Sequence, residues 1–354
     1  MELVATGSVE IGNFQTESGN LLEQVELSYE SCGPLDAPVI LVCHALTGNQ
    51  YATGTQEKPG WWSGMIGPGK VIDTNVFQVI TWNVLGGCSG STGPATINPT
   101  TGEPYRSSFP TITIRDMVHA EKQGLQALGI DRLHAVVGGS LGGMRVLEWG
   151  LLYPKDMDLL IPLAVTPYLS DTGIAFNYIG IHAIETDANY CNGNYKSSSD
   201  IKGFETARMA GLVTYRSEQL HKDRFARKTR SDGLFEIESY MKYQGTKLTE
   251  RFDANSYLTL LRAMNTHDIG RDRGGIEIAA KQFEAKVLTI AFTHDLLYPP
   301  EDICSFAHLV PDHHFCMVNT RFGHDGFLTE FETWGNILTV HLGVKSWQRF
   351  KQQS

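Results

Sequence analysis

Gly138-Gly139-Ser140-Leu141-Gly142 decides how the rest of the chain is read. It follows the apolar run Leu133-His134-Ala135-Val136-Val137 and precedes Met144-Arg145-Val146-Leu147-Glu148-Trp149, which has helical character. This is G-x-S-x-G in a strand–turn–helix setting, the signature of a nucleophile elbow. A serine on so tight a turn adopts an unfavourable backbone conformation, so small flanking residues keep Cβ clashes away. The helix that follows points its unpaired N–H groups at the hydroxyl.

Outward from the elbow, short apolar runs recur at helix-length spacing. Residues 25–29 alternate strand-fashion, while 39–43, 77–82, 133–137 and 159–165 are continuous. Continuous runs of this kind mark strands of a parallel sheet buried on both faces. Residues 114–128 carry apolar side chains at helical spacing and end near Gly129, as a crossover helix does. From 169 to 273 the strand runs stop. That stretch is first rich in Tyr, Asn and Ser, then helical over 204–214, 234–242 and 255–263. The α/β rhythm returns with a helix over 276–283, strands over 287–292 and 315–318, and a terminal helix over 331–342. The expectation is an α/β fold: a mostly parallel sheet flanked by helices, its core split into residues 1–168 and 274–354 by a helical lid of 169–273.

In folds that carry this elbow, an acid and then a histidine follow the serine in chain order. Asp295 lies just past the strand at 287–292, in Thr293-His294-Asp295-Leu296-Leu297-Tyr298-Pro299-Pro300, where the prolines are expected to stop the strand. His324 lies just past the last strand, in Arg321-Phe322-Gly323-His324-Asp325-Gly326. Both positions are at carboxyl ends of strands, where open α/β sheets bind ligands. A turn aspartate or a packed loop histidine is ordinary alone; in this order they specify a triad with Ser140 attacking, His324 moving its proton and Asp295 orienting the imidazole. The oxyanion donors are then the N–H of Leu141, after the nucleophile, and that of Leu46, in the loop His44-Ala45-Leu46-Thr47-Gly48. His44 itself is read as shaping that loop.

Composition narrows the partners. With 29 basic and 39 acidic residues among 354, net charge is −10, and no dense basic stretch offers a nucleic-acid footprint. No apolar run is long enough for a membrane span, and the N-terminus lacks a signal-peptide pattern. The six cysteines show no paired spacing, which fits reduced thiols and a cytoplasmic setting. No metal-ligand motif occurs: His313-His314 is an adjacent pair whose side chains diverge on a strand.

Several further motifs resemble the homoserine O-acetyltransferases of methionine biosynthesis, within the α/β-hydrolase superfamily. They include residues 44–48, Asn83-Val84-Leu85-Gly86-Gly87-Cys88, Gly90-Ser91-Thr92-Gly93-Pro94, Ile97-Asn98-Pro99, Phe109-Pro110 and Thr113-Ile114-Arg115-Asp116-Met117-Val118. Ala207-Arg208-Met209, Thr214-Tyr215, Phe252-Asp253-Ala254-Asn255-Ser256-Tyr257 and Gly323-His324-Asp325 extend the likeness over nearly the whole chain. The resemblance implies ping-pong transfer of an acetyl group from acetyl-CoA, a co-substrate and not a resident cofactor, to the side-chain hydroxyl of L-homoserine. It also implies Arg208 for the substrate carboxylate, Asp325 for its ammonium, Tyr215 and Thr47 as further substrate contacts, and a homodimer formed through the lid. Two features depart from the common elbow: Leu141 and Arg145 stand where many members have Met and Gln. If Arg145 faces the pocket, it favours an acyl group ending in a carboxylate. Alternatives are therefore an O-succinyltransferase acting on homoserine or serine, and a serine esterase or thioesterase.

Overall fold

The computed structural model describes residues 4–343. Eight strands form the main sheet: β1 (Val4–Gln15), β2 (Leu21–Cys32), β3 (Val39–Cys43), β4 (Gln78–Trp82), β5 (Leu133–Gly139), β6 (Met157–Leu163), β7 (Lys286–Phe292) and β8 (His313–Val318). Their spatial order is β1-β2-β4-β3-β5-β6-β7-β8. The β1–β2 and β2–β4 pairs are antiparallel and every later pair is parallel. This is the α/β-hydrolase architecture, and it places β5 near the middle of the sheet.

The inner strands β3 to β7 are buried on both faces, which explains their unbroken apolar runs. In β3, Val39, Leu41 and Cys43 join one core, while Ile40 and Val42 join the core on the opposite face. Helices α1 (Ile114–Ala127) and α2 (Leu141–Leu152) contribute to the first core through Met117, Val118, Val146 and Leu147. A capping box closes the start of α1, with Thr113 accepting from the Asp116 N–H and the Asp116 carboxylate accepting from the Thr113 N–H.

Between β6 and β7 the chain builds helices only: α3 (Asp171–Glu185), α4 (Lys202–Tyr215), α5 (Glu218–Phe225), α6 (Glu236–Thr249), α7 (Ala254–Asn265) and the short α8 (Ile276–Ala280). Then α9 (Pro300–Ala307) packs on the first core, and α10 (Phe331–His341) places Trp334 and Leu338 in the second.

Six elements stand out against the sequence expectation, four of them unforeseen and two with other bounds. Strand β1 and helices α3, α5 and α9 were unforeseen. Pro299 and Pro300, read as a stop, begin α9, because a proline at the first helical position loses no hydrogen bond. The strand expected over 159–165 is β6, two residues earlier at each end; Ala164, at φ 46°, turns the chain out of the sheet. The helix expected over 276–283 is only the five residues of α8. None of the six cysteines is in a disulfide, and among the described residues no helix is long and apolar enough to cross a membrane.

Candidate active site

The elbow is built by strain and close approach. Ser140 sits between β5 and α2 at φ 57°, ψ −123°, a region that L-residues avoid. Its N–H donates to the Leu163 carbonyl at 3.1 Å, and its carbonyl accepts from the Met144 N–H at 2.9 Å. These two bonds hold the turn between β6 and the first turn of α2. A Cβ on Gly142 would stand 2.1 Å from the Cys43 carbonyl oxygen, and one on Gly138 would stand 2.6 Å from it. Glycine at both positions lets the end of β3 close on the elbow, so residues 44–48 begin directly beside Ser140. Leu141, the first residue of α2, and Leu46 are both buried.

Asp295 follows β7 and is fully enlisted. Its Oδ1 accepts from the Leu297 and Tyr298 N–H groups at 2.9 and 3.0 Å, and its Oδ2 accepts from His324 Nδ1 at 2.8 Å. Both side chains are buried. Burial would by itself lower the His324 pKa, but the Asp295 charge and hydrogen bond, aided by Asp325, outweigh it and hold the imidazole above its ordinary value. With Nδ1 committed to Asp295, Nε2 is the nitrogen available for proton transfer. Shared neighbours join this pair to the elbow. The Phe327 ring lies 5.5 Å from the His324 ring, and a Cβ on Gly139 would meet it at 2.5 Å. The Tyr298 ring lies 5.2 Å from His324, and its buried hydroxyl has no hydrogen-bond partner.

The helices between β6 and β7 bring further side chains to the pair. Arg208 and Tyr215 are seven residues apart on α4, hence on one helix face. The Arg208 guanidinium lies 5.8 Å from the Tyr215 ring centroid, and that ring lies 5.8 Å from His324. Tyr215 is half-buried beside the buried Tyr257 of α7, and desolvation raises both phenol pKa values. Arg208 has no carboxylate partner among the described residues, and its buried Nε has no hydrogen-bond partner. A strained serine, an imidazole–carboxylate pair and an uncompensated guanidinium thus converge at the carboxyl end of the sheet. Chemically, the set suits nucleophilic attack on a carbonyl beside an anion-binding group. Among the described residues, no cluster of three or more His, Cys, Asp or Glu side chains stands ready for a metal.

Residues 38–331 match the alpha/beta hydrolase fold family. The homoserine O-acetyltransferase of Moorella thermoacetica is 41% identical over 345 residues, covering 92% of each chain. The chain belongs to the homoserine O-acetyltransferase family. Among solved structures, the homoserine O-acetyltransferase from Bacillus anthracis superposes with a TM-score of 0.91 at 27% identity, covering 97% of this chain and 98% of that one. Esterase E22 superposes with a TM-score of 0.89 at 27% identity, covering 96% and 100%. Backbone similarity is therefore shared by transferase and esterase, whereas the relative at 41% identity is a transferase.

For a homoserine O-acetyltransferase family member, three placements were not foreseen. Asp325, expected free for an ammonium, accepts from Arg216 Nε at 3.1 Å, and Arg216 also donates to the Tyr240 hydroxyl. Thr47 meets the lid through its backbone, its carbonyl accepting from Arg251 Nη1 at 2.9 Å. Arg251 thereby stands beside Arg208 as a second cation, close enough for the two charges to repel. The third is Arg145, which does not enter the pocket. It is completely buried behind the elbow, where it pairs with Glu121 of α1 and donates to the His44 carbonyl, so the route from Arg145 to a carboxylate-ended acyl donor closes. Arg216 directly follows Tyr215 in sequence, and that adjacency to a quoted lid motif was the one available signal for it.

Proposed function

We propose that this chain transfers an acetyl group from acetyl-CoA to the hydroxyl of L-homoserine, with Ser140, His324 and Asp295 as its triad. His324 Nε2 takes the Ser140 proton as the Oγ attacks the thioester carbonyl. The N–H groups of Leu46 and Leu141 receive the oxyanion. The C–S bond breaks, His324 returns its proton to the departing thiolate, and the acetyl group stays on Ser140. Homoserine then enters with its carboxylate on Arg208 and its ammonium on Asp325, beside Tyr215 and Thr47. Its hydroxyl gives its proton to His324 and attacks the acetyl carbonyl; collapse returns the proton to Ser140 and releases the ester.

The observation that carries this reading is Arg208. An unpaired guanidinium stacked over Tyr215, one ring away from His324, is what a carboxylate-bearing acceptor needs and a simple esterase does not. On this reading residues 169–273 form the lid over a core of residues 1–168 and 274–354. Exposed Val213 on α4 and Tyr243 on α6 support a homodimer formed through that lid, and cysteines without disulfides fit a cytoplasmic location. The test is to mix the protein with acetyl-CoA, with and without L-homoserine or L-serine, and to follow free CoA. One burst equivalent without acceptor and steady release only with homoserine are expected. Steady release that ignores both amino acids would mean a hydrolase instead, and succinyl-CoA as the better donor would replace the acetyl assignment.

A further inference from the structure

Arg145 lies five residues past Ser140 on α2, and every contact it makes leads away from the substrate. Its guanidinium bridges two acceptors on different elements: the Glu121 carboxylate of α1 through Nη1, and the His44 backbone carbonyl through Nη2. Glu121, itself buried, accepts with its other oxygen from Trp149 Nε1 at 2.8 Å. The cation is therefore anchored on α1 and α2, the two helices that pack behind the elbow, and reaches across to the loop that follows β3.

The other end of that reach is equally defined. His44 Nδ1 donates to the Ala45 carbonyl at 2.7 Å, and Nε2 accepts from the Val84 N–H at 3.1 Å. These bonds require the neutral ring with its proton on Nδ1. Burial, followed by the nearby Arg145 charge, pulls the His44 pKa down to about 3 and keeps that form in place. With both ring nitrogens used and its carbonyl held by Arg145, His44 has no freedom to tilt. Leu46 follows two residues later, inside a turn closed by the Gly48 N–H on the Ala45 carbonyl at 2.9 Å. An oxyanion donor works only when aimed in advance at the place where charge develops, so the direction of its loop is a catalytic quantity.

We infer that Arg145 is a positioning residue of the oxyanion hole, holding the 44–48 loop in register with Ser140 through the His44 carbonyl. This rests on the reading of Leu46 as an oxyanion donor. A buried pair of this kind gains little stability over a well-packed apolar replacement, so its role here is orientation.

The test compares two double variants that remove the buried charges together, with Glu121→Gln in both so that a side-chain amide oxygen still accepts from Trp149. R145M/E121Q has no donor for the His44 carbonyl; R145Q/E121Q restores one. Three quantities are read: the acylation burst from acetyl-CoA, the affinity for methaneboronic acid, which forms a tetrahedral adduct on the serine, and the affinity for CoA. R145M/E121Q is expected to acylate about 10- to 100-fold more slowly and to bind the boronate more weakly by a similar factor. CoA affinity should stay within about twofold, with most of the lost rate recovered in R145Q/E121Q. Wild-type acylation and boronate affinity in folded R145M/E121Q would overturn the inference, as would equal losses in the two doubles. Should R145M/E121Q not fold, R145Q/E121Q against R145Q alone decides it: rates differing by more than the folded fraction, at equal boronate affinity, overturn it. No burst from the wild-type enzyme sinks the acyl-enzyme reading first, before any variant is made.

Discussion

Arg216 Nε donates to Asp325 Oδ2 at 3.1 Å, joining the first residue past α4 to the residue after His324. The neighbouring Ser217 hydroxyl donates to the Arg321 carbonyl, so the lid is tied twice to the loop that carries His324. On the proposed mechanism, a lid tied to the imidazole loop would exclude water from the acyl-enzyme while the acceptor binds. Arg216→Met removes the ionic tie but keeps most of the apolar stem. The expected result is CoA release without homoserine rising about tenfold, equivalent to about 1.4 kcal/mol of lost protection. Unchanged background hydrolysis would assign the pair to lid stability alone.

Asp325→Asn tests the other partner. The amide keeps the shape but loses the charge that the ammonium needs. A charge-assisted hydrogen bond contributes about 1.5–3 kcal/mol, so KM for homoserine should rise about 10- to 100-fold. The burst from acetyl-CoA should stay near wild type, because the first half-reaction involves no ammonium. A lost burst would place Asp325 in support of His324 instead.

The raised His324 pKa fixes the direction of a pH response. With the neutral imidazole as the proposed base, activity is expected to fall as pH drops through a value above the ordinary 6.5. The sign for stability is opposite. The contribution from protonated His324 is fully present below the unfolded pKa and is lost as pH rises through the raised folded value. Asp295→Asn removes the main upward influence and leaves burial opposed by Asp325 alone, so the acid limb of kcat/KM should move to lower pH. Rate should fall about 10³- to 10⁴-fold, because the wrong tautomer then faces the serine. An acid limb that does not move would mean that another group titrates.

Ser140 stores strain, and its removal should show as stability. Its φ of 57° and ψ of −123° cost an L-residue about 1–3 kcal/mol, whereas glycine reaches that region freely. Against this, glycine adds about 0.5–1 kcal/mol of unfolded-state entropy. Ser140→Gly should therefore unfold at or slightly above the wild-type Tm while losing the acyl-enzyme completely. A lower Tm would show that the hydroxyl contributes more to the fold than the strain costs.

What the chain disclosed before its structure was known divides along physical lines. Strand β3 was read with its observed ends because both faces are buried and every residue is apolar. Strand β1 escaped because it is an edge strand, largely half-exposed, with register shifts on either side of Gly12. Helix α3 escaped because it buries only Gly173, Gly180, Ile181 and Ile184, and meets α4 through the small pair Gly180 and Ala207. At the site, Ser140, Asp295 and His324 were legible because each follows a strand in a fixed order. Arg216, Arg251 and Arg145 were not, because their partners lie 109, 204 and 24 residues away and only folding brings them together.

Arg208 and Arg251 give the last prediction. Two guanidinium groups near each other at the oxyanion loop, neither with a carboxylate partner among the described residues, leave positive charge for an anion to satisfy. The acceptor carboxylate fits Arg208, whose planar fork presents two parallel N–H donors. Arg208→Lys keeps the charge but not the fork, so KM for homoserine should rise about tenfold, and about 100-fold in Arg208→Ala, with the acylation burst intact. Arg251→Ala leaves Arg208 in place but frees the Thr47 carbonyl, so it should slow both half-reactions by a modest factor through the loop that carries Leu46. Should Arg251→Ala instead raise KM for acetyl-CoA alone, in a manner that high salt mimics in the wild type, Arg251 would be a phosphate contact of the donor. Rapid-mixing kinetics of the two half-reactions at low and high ionic strength separate these outcomes.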